Sequence, residues 1–331
     1  MNTLVTGAAG FLGSYLIEQL LARGDRVRAF CHRECDALDR PEIERVYGDI
    51  ADRQTTVEAC RGMDVVFHAA GVAGIWGPWD RYYQANVLGT RHILEGCRQH
   101  GVGKLVFTSS PSVVFGGRPL EGIDESTPYP KTWLCHYAHT KAIAEQEVLA
   151  ANGQEGLFTC ALRPHLIWGP RDPHLGPRVV RRAREGRLRQ VGDGSNLVDT
   201  TYVENAAEGH LLAADALNGT SPVPGRAYFL SQGAPVNCWE WINQLLALAG
   251  LPPVRRSISL AAAQRLGAVI ETGYRLLRID REPPMTRFLA AQLGMSHYFD
   301  IGRARADFGY RPTVSTEEGL RRMREGLRIG D

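Results

Sequence analysis

The chain has 331 residues, of which 44% are hydrophobic and 22% are charged, and this composition excludes a disordered chain or a coiled coil. Lysine and arginine number 38 against 36 aspartates and glutamates, a net charge of +2, which predicts no strong net field to attract nucleic acid or an anionic membrane. Seven scattered cysteines without a Cys-x-x-Cys spacing predict reduced thiols and neither a disulfide framework nor a metal site.

Two hydrophobic periodicities alternate in the first half of the chain. Short β-branched or aromatic runs predict strands at Asn2–Thr6, Val27–Cys31, Val65–Ala69, Lys104–Thr108 and Thr159–Leu162. Longer amphipathic stretches predict helices at Leu12–Arg23, Tyr82–Gln99 and Tyr137–Ala151. Alternating strands and helices of this kind predict an α/β fold with a doubly wound parallel sheet of the Rossmann type.

A glycine-rich loop follows the first predicted strand. Residues 6–13 are Thr-Gly-Ala-Ala-Gly-Phe-Leu-Gly, and they open the first predicted helix. Glycine permits a positive φ and a close approach to a pyrophosphate, while the helix N-terminus supplies free N–H donors. A plain tight turn is the alternative, which the flanking strand and helix disfavour. The predicted cofactor contacts here are Gly7, Gly10, Phe11, Leu12 and Gly13.

The end of the second predicted strand indicates which dinucleotide binds. An acidic residue at this place would accept hydrogen bonds from the adenosine ribose and repel a 2′-phosphate. The residues found there are Cys31, His32 and Arg33, and a guanidinium pairs with phosphate through two hydrogen bonds. We therefore expect NADP(H) to be preferred over NAD(H), with a solvated loop arginine as the alternative role of Arg33.

A tyrosine and a lysine four residues apart begin the helix predicted from Tyr137. This spacing places Tyr137 and Lys141 on one helix face. A lysine cation about 4 Å from a phenol contributes roughly 4 kcal/mol at an effective dielectric of about 20, or about three pKa units. The pair is thus expected to bring the phenol pKa near neutrality for acid–base catalysis. A structural contact on an amphipathic helix is the alternative.

Hydroxyl groups end the fifth predicted strand, at the sheet edge where ligands bind in open α/β folds. Thr108, Ser109 and Ser110 end this strand and Ser112 follows them, with capping of the strand end as the alternative role of these hydroxyls. A hydroxyl at this place can stabilise a developing alkoxide.

After Pro164 the pattern changes to proline-rich loops between helical stretches. Helices are predicted at Arg178–Arg189 and Asp199–Leu217, and a strand at Arg226–Ser231. We predict a Rossmann domain formed by residues 1–165 and about 199–232. Residues of about 166–198 and 233–331 are predicted to form a smaller, discontinuous substrate-binding domain.

These motifs resemble those of the extended short-chain dehydrogenase/reductase family. The resemblance is carried by Thr-Gly-x-x-Gly-Phe-x-Gly at residues 6–13 and by Tyr-x-x-x-Lys at 137–141. Three further segments, at residues 109–115, 162–170 and 296–300, resemble the 3β-hydroxysteroid dehydrogenase branch. Within it they are most similar to bacterial 2-alkyl-3-oxoalkanoate reductases and sterol-4-carboxylate 3-dehydrogenases. The resemblance covers nearly the whole chain.

The resemblance implies roles for individual residues. Tyr137 would be the general acid, Lys141 would lower its pKa and hold the nicotinamide ribose, and Ser110 would be the catalytic serine, with Ser112 as its rival. Further cofactor contacts implied in this way are Asp49, Ile50, Ala69, Ala70, Gly71 and Pro164, while Asn86 would shape the active site. The implied reaction interconverts a 3-keto and a 3-hydroxy group.

An apolar substrate needs a pocket rich in aromatic and aliphatic groups. Aromatic residues in segment 75–83, which follows the fourth predicted strand, are candidates for its wall. Core or turn positions are the alternative for them. His165 and Arg171 are candidate contacts of a substrate carboxylate, with loop hydrogen bonds as their alternative role.

Three other functions are weighed against this reductase: a 3β-hydroxysteroid or sterol-4-carboxylate dehydrogenase, a nucleotide-sugar epimerase or dehydratase, and an NADP(H)-sensing module without chemistry. Residues 260–277 are amphipathic and are expected to pack on the second domain or a partner subunit, with peripheral membrane contact as the alternative. No apolar run is long enough to span a bilayer. We expect a cytoplasmic homodimer that binds no nucleic acid.

Overall fold

The computed structural model describes residues 1–35 and 38–329. The strands in this part of the chain are β1 (Asn2–Thr6), β2 (Arg26–Cys31), β3 (Ile43–Tyr47), β4 (Val65–His68), β5 (Lys104–Thr108), β6 (Leu120–Ile123), β7 (Phe158–Pro164), β8 (Ile167–Trp168), β9 (Gln190–Val191), β10 (Leu197–Val198), β11 (Thr201–Tyr202), β12 (Ala227–Leu230), β13 (Val236–Asn237), β14 (Ser257–Ile258) and β15 (His297–Phe299). The α-helices are α1 (Phe11–Ala22), α2 (Arg53–Glu58), α3 (Trp79–Tyr82), α4 (Gly89–Gln99), α5 (His136–Ala150), α6 (Leu175–Arg184), α7 (Val203–Ala216), α8 (Cys238–Leu248), α9 (Leu260–Leu276), α10 (Arg287–Gly294), α11 (Gly302–Phe308) and α12 (Thr316–Ile329).

A seven-stranded sheet forms the centre of the fold. Its strand order is β12-β7-β5-β4-β1-β2-β3, and every neighbouring pair is parallel. The chain winds outward from β1 in both directions, so the predicted doubly wound Rossmann sheet is confirmed. The carboxyl ends of β1, β4 and β5 meet at one edge, which is where such sheets bind ligands.

Apolar side chains alternate between the two faces of this sheet. Leu4 and Val5 are adjacent in β1 and both fully buried, yet they belong to different apolar clusters. This arrangement follows from the strand geometry, because successive side chains point to opposite faces. One cluster includes residues of α1 and α7, and the other includes residues of α4 and α5. Burial on both faces explains why these strands are continuous hydrophobic runs in the sequence.

The second half of the chain adds smaller sheets and a third apolar cluster. One sheet has the order β13-β10-β15-β6, and β11-β8 and β14-β9 form two-stranded sheets. The third cluster is centred on Trp168, Tyr202 and Trp241, whose rings meet edge to face.

Two helix predictions in this half are wrong at their ends. The helix predicted from Asp199 begins at Val203, because Thr201 and Tyr202 pair with β8 as a strand. The helix predicted to reach Arg189 ends at Arg184. Gly186, at φ +65°, reverses the backbone there, which a helix interior does not allow.

The helix predicted over Tyr82–Gln99 is not one regular helix. It consists of α3, a π-helical segment at Tyr83–Leu88, and α4. The π segment carries Asn86, whose side chain bonds to the backbone of Val72. Helical periodicity alone does not predict such an insertion, and π turns occur frequently at functional sites.

The α9 helix is only partly buried. Ala263 and Gly267 are buried, and a Cβ at Gly267 would lie 2.7 Å from the backbone of Thr286, just before α10. The opposite side of α9 leaves Val269 and Leu276 exposed, so packing on the second half of the chain covers one face only. No helix in the described ranges is long and apolar enough to cross a membrane.

Candidate functional site

The glycine loop is shaped by close backbone packing. Gly7 has φ +69°, and a Cβ there would lie 2.8 Å from the backbone nitrogen of Ala70. A Cβ on Gly13 would lie 2.2 Å from the Gly7 oxygen. Gly10 is the N-cap of α1 and brings no side chain to the first helical amides. These amides are therefore available to an anion at the positive end of the helix.

A cleft of about 640 Å³ opens in front of this loop. The predicted cofactor contacts that line it are Gly7, Gly10, Arg33, Asp49, Ile50, Ala69, Ala70 and Gly71. Phe11, Leu12 and Gly13 form the first turn of α1 behind it, and Pro164 is buried at the end of β7. The size of the cleft, the missing side chains at its floor and the uncapped helix start fit a dinucleotide.

Side chains capable of binding an anion reach this cleft from two directions. Cys31, His32 and Arg33 line it at the end of β2, as the sequence predicts. Arg81 and Gln84, from α3 and the π segment, line its other side. Arg81 and Gln84 are not predicted from the sequence, because their spacing does not distinguish them from residues on an exposed helix face.

His68 connects the ends of β1 and β4. Its Nδ1 lies 2.7 Å from Thr6 Oγ1, and its Nε2 lies 2.9 Å from Thr90 Oγ1. Thr90 donates its hydroxyl proton to the Asn86 carbonyl at 2.7 Å, so His68 Nε2 donates to Thr90 and Nδ1 accepts from Thr6. Burial, with a smaller effect of the Lys141 charge, lowers the pKa of His68 to about 3. The ring is therefore neutral at physiological pH.

This chain of hydrogen bonds continues to the cleft. The backbone N–H of Ala70 donates to Thr6 Oγ1 at 3.1 Å, next to the close approach of Ala70 to Gly7. Asn86 is buried; its side chain accepts from the N–H of Val72 at 2.8 Å and donates to Thr140 Oγ1 at 3.1 Å. Asn86 thus connects Val72 to α5, and the shaping role that the resemblance implies stays a prediction.

Tyr137 and Ser110 come together at the edge of the sheet. Tyr137 is half-buried in the first turn of α5, and the Ser110 side chain lies near enough to its phenol to lower the phenol pKa, against the larger effect of burial. Ser112 Oγ lies 2.9 Å from Ser110 Oγ. Of the two candidate serines, Ser110 is therefore the one that affects the phenol, and Ser112 contacts Ser110.

Lys141 lies one turn further along α5 and is buried. Its Nζ donates to the Thr108 carbonyl at 2.5 Å and lies 3.9 Å from the centroid of the Phe107 ring. Burial lowers the pKa of Lys141 to about 7, although Glu145 acts in the opposite direction. The cation is therefore poorly stabilised in the chain without a cofactor.

The expected shift of the Tyr137 pKa toward neutrality is not found. Burial raises the pKa of the Tyr137 phenol above its usual value, and the Ser110 side chain only partly opposes this. The expected shift rests on the attraction of a nearby cation and omits the free-energy cost of burying a phenolate. At neutral pH the phenol is consequently protonated, which is the form that donates a proton.

A buried ion pair fixes α5 on β7. Arg163 Nε and Nη2 donate to the Glu145 carboxylate at 3.0 and 2.5 Å, and the Tyr129 hydroxyl adds a bond of 2.6 Å. Arg163 and Glu145 are 3% and 0% exposed. Glu145 lies four residues after Lys141, so the pair holds the helix face that carries Lys141 and Tyr137.

A second cleft, of about 610 Å³, lies beside Tyr137. Cys135 and His136, directly before Tyr137, line one end of it. The larger lining side chains are the aromatics Trp76, Tyr82, Trp133 and Tyr274 and the cations Arg275, Arg278 and Arg287. Trp76 and Tyr82 belong to the aromatic segment that the sequence singled out. Glu271 and Asp280 also line the cleft, which therefore combines an apolar wall with three guanidinium groups and two carboxylates.

His165 and Arg171 do not suit a substrate carboxylate. His297 Nε2 donates to the Gln292 carbonyl, so His297 Nδ1 accepts from His165 Nε2 at 2.7 Å. Burial, followed by His297, lowers the pKa of His165 well below its usual value, which leaves its Nδ1 an acceptor. The Arg171 guanidinium is paired with Glu18 through two hydrogen bonds of 2.6 and 3.0 Å.

Short-chain dehydrogenases/reductases have a parallel sheet with a glycine loop after β1 and a Tyr-x-x-x-Lys helix after β5. The fold and the site therefore define an oxidoreductase that uses a nicotinamide cofactor. A comparison with family models identifies the branch. Residues 4–261 match the 3-beta hydroxysteroid dehydrogenase/isomerase family, and the chain belongs to that family.

Curated relatives carry related names. The 2-alkyl-3-oxoalkanoate reductase of Stenotrophomonas maltophilia (strain K279a) is 50% identical over 326 residues, which cover 98% of both chains. The human sterol-4-alpha-carboxylate 3-dehydrogenase, decarboxylating, is 35% identical over 98% of this chain and 87% of its own. Among solved structures, MoeE5 in complex with UDP-glucose and NAD superposes with a TM-score of 0.76 at 26% identity, covering 100% of this chain and 99% of that one.

Proposed function

We propose that the protein is an NADPH-dependent reductase of 2-alkyl-3-oxoalkanoates. The observation that carries this proposal is that Tyr137, whose pKa Ser110 affects, directly follows Cys135 and His136, which line a cleft with aromatic side chains and guanidinium groups. The name of the Stenotrophomonas relative, at 50% identity over nearly the full length, supports the same substrate class.

Each group of the site has one role in this reaction. Bound NADPH supplies the hydride. Ser110 donates its hydroxyl proton to a hydrogen bond with the substrate carbonyl and fixes its orientation. Tyr137 gives its proton to the oxygen as negative charge develops there, and the pKa raised by burial keeps that proton available at neutral pH. Lys141 holds the nicotinamide ribose through its ammonium group.

The second cleft fits the two chemical parts of such a substrate. Trp76, Trp133 and Tyr274 provide apolar surface for alkyl chains. Arg275 and Arg278 line the same cleft and would pair with the carboxylate next to the keto carbon. A nucleotide sugar carries no alkyl chain to cover this apolar surface.

We expect NADPH oxidation with a freshly hydrolysed 2-alkyl-3-oxoalkanoate to exceed that with the ketone formed by its decarboxylation by about tenfold or more, because one charge-assisted hydrogen bond contributes roughly 1.5–3 kcal/mol. The ketone is the matched control, since it lacks only the carboxylate. Oxidation of a 3β-hydroxysteroid or conversion of a UDP-sugar, without reduction of the oxo acid, would replace this proposal with one of the alternatives.

The preference for NADP(H) is the finer part of the proposal. Arg33 is exposed at the cleft beyond β2, where its guanidinium would bind a 2′-phosphate. We expect Arg33→Gln to lower kcat/KM for NADPH by about 10- to 100-fold while leaving that for NADH unchanged, because only NADPH carries this phosphate. Steady-state kinetics with both cofactors measures this change.

Arg26→Gln is the matched control, because Arg26 is exposed at the other end of β2. An NADPH/NADH ratio that Arg33→Gln leaves unaltered would contradict the assignment. A ratio that falls equally in both variants would show an effect of net charge alone. The homodimer and the cytoplasmic location expected from the sequence stay predictions.

A further inference from the structure

An apolar stripe runs along the outer face of α9. Ala262, Leu266, Val269, Gly273 and Leu276 follow one another at spacings of four, three, four and three residues, which places them on one side of a helix. Val269 is 71% exposed and Leu276 is 79% exposed. Leu277 extends the stripe beyond the last turn and is 72% exposed. Side chains of this kind are rarely so exposed together without a partner.

The charges beside this stripe are almost all positive. The arginines within residues 260–281 are Arg265, Arg275, Arg278 and Arg281, and all four are exposed. Glu271 is 2% exposed and bonded to the backbone and guanidinium of Arg287, so its charge is compensated. Asp280 is the one exposed carboxylate in this segment. Glu282, just beyond it, pairs with Arg178 and Arg182.

This charge pattern discriminates between possible occupants. A second copy packed through the same face would bring arginines of one α9 close to arginines of the other, which is repulsive. An anionic phospholipid surface accepts both features, since its acyl region takes the apolar side chains and its phosphates take the guanidinium groups.

The inner side of the same helix borders the second cleft. Tyr274, Arg275 and Arg278 line that cleft. Trp76 from the opposite wall meets Tyr274 edge to face at 6.0 Å and donates its Nε1 proton to the Ile279 carbonyl at 3.0 Å. The outer surface of α9 and the cleft that we assign to the substrate are thus two sides of one element.

We propose that α9 docks the protein on an anionic phospholipid bilayer and that long-chain substrate enters the second cleft from that surface. The stripe lies at the boundary between headgroups and acyl chains, with Arg265 and Arg281 at the phosphates. Docking depends only on α9; the entry of substrate rests also on the proposed function.

Flotation with vesicles tests docking without any activity measurement. We expect the protein to float with vesicles of two parts phosphatidylcholine and one part phosphatidylglycerol, and to bind vesicles of phosphatidylcholine alone at least tenfold more weakly. Binding should weaken as salt is added, because a basic residue near an anionic surface is worth about fivefold in partitioning. Val269→Ser with Leu276→Ser should lower binding by a further tenfold or more.

The double variant Arg311→Gln with Arg324→Gln is the charge control for Arg265→Gln with Arg281→Gln, since both of its arginines are exposed and lie outside α9, one after α11 and one in α12. The α9 pair should lower binding about 25-fold and the control pair should not. Equal losses in both pairs, or equal binding to both kinds of vesicle, would overturn docking. If the unaltered protein is a dimer on size-exclusion chromatography and Val269→Ser with Leu276→Ser is a monomer that still floats, the face belongs to a contact with a second copy.

Kinetics separates docking from the proposed function. With a long-chain oxo acid embedded in anionic vesicles, Val269→Ser with Leu276→Ser should react about tenfold more slowly than the unaltered protein. With a short, water-soluble oxo acid the two should react at the same rate, because Val269 and Leu276 do not line the cleft. Flotation without any reductase activity would leave docking standing and remove the proposed function, whereas activity without flotation would do the reverse.

Discussion

Replacement of Tyr137 by Phe is expected to lower kcat with a 2-alkyl-3-oxoalkanoate by about 100- to 10,000-fold. The variant loses the phenolic hydroxyl, whose pKa Ser110 affects, while the ring still fills its place in α5. NADPH affinity should stay within about threefold, because the Lys141 ammonium and the glycine loop are unchanged. Steady-state kinetics measures the first quantity and a fluorescence titration with NADPH measures the second.

The control for this variant is Tyr47→Phe, which removes a hydroxyl from an exposed tyrosine on β3 and should leave kcat unaltered. Activity of Tyr137→Phe within threefold of the unaltered protein would exclude Tyr137 as the proton donor. A large loss of NADPH affinity with a normal rate at saturation would assign the phenol to cofactor binding.

The second large effect is expected on stability. Glu145→Gln leaves the Arg163 guanidinium buried without its counter-charge, at 3% exposure. Breaking a buried ion pair from one side costs about 3–5 kcal/mol of the free energy of unfolding. Chemical denaturation with urea at neutral pH measures this change.

Replacing both partners distinguishes the ion pair from packing alone. The double variant Glu145→Met with Arg163→Met removes both charges and keeps apolar bulk between α5 and β7, so it should regain most of the stability that Glu145→Gln loses. A loss below 1 kcal/mol in Glu145→Gln would show that the pair does not fasten α5. Equal losses in the single and double variants would show that packing, not charge, is responsible.

The central sheet could be predicted closely from the sequence. The bounds predicted for β1 and β5 are those of the structure, and α1 and α5 differ by one residue at each end. These elements lie between glycine or polar turns and are buried on a defined face, so local pattern and tertiary packing agree. The π segment within Tyr83–Leu88 depends on the bond of Asn86 to Val72, a long-range contact that periodicity does not contain.

The site was predictable in its residue types and less so in its electrostatics. A spacing of four residues is enough to place Tyr137 and Lys141 on one face of α5, but the partner of Lys141 is the Thr108 carbonyl, which belongs to another element. Burial of the phenol, which raises its pKa, is likewise a property of the packed chain. Arg81 lines the cofactor cleft together with residues 69–72, and no local signal indicates this.

The hydrogen bonds through Thr6, His68 and Thr90 mean that the dinucleotide site is preformed. Each hydrogen-bond donor in the series has one acceptor. The neutral imidazole of His68 does not titrate under physiological conditions. Because the site does not have to rearrange around the cofactor, binding would cost the protein little conformational entropy. The association rate would then be set by diffusional encounter with the cofactor and not by a conformational change of the protein.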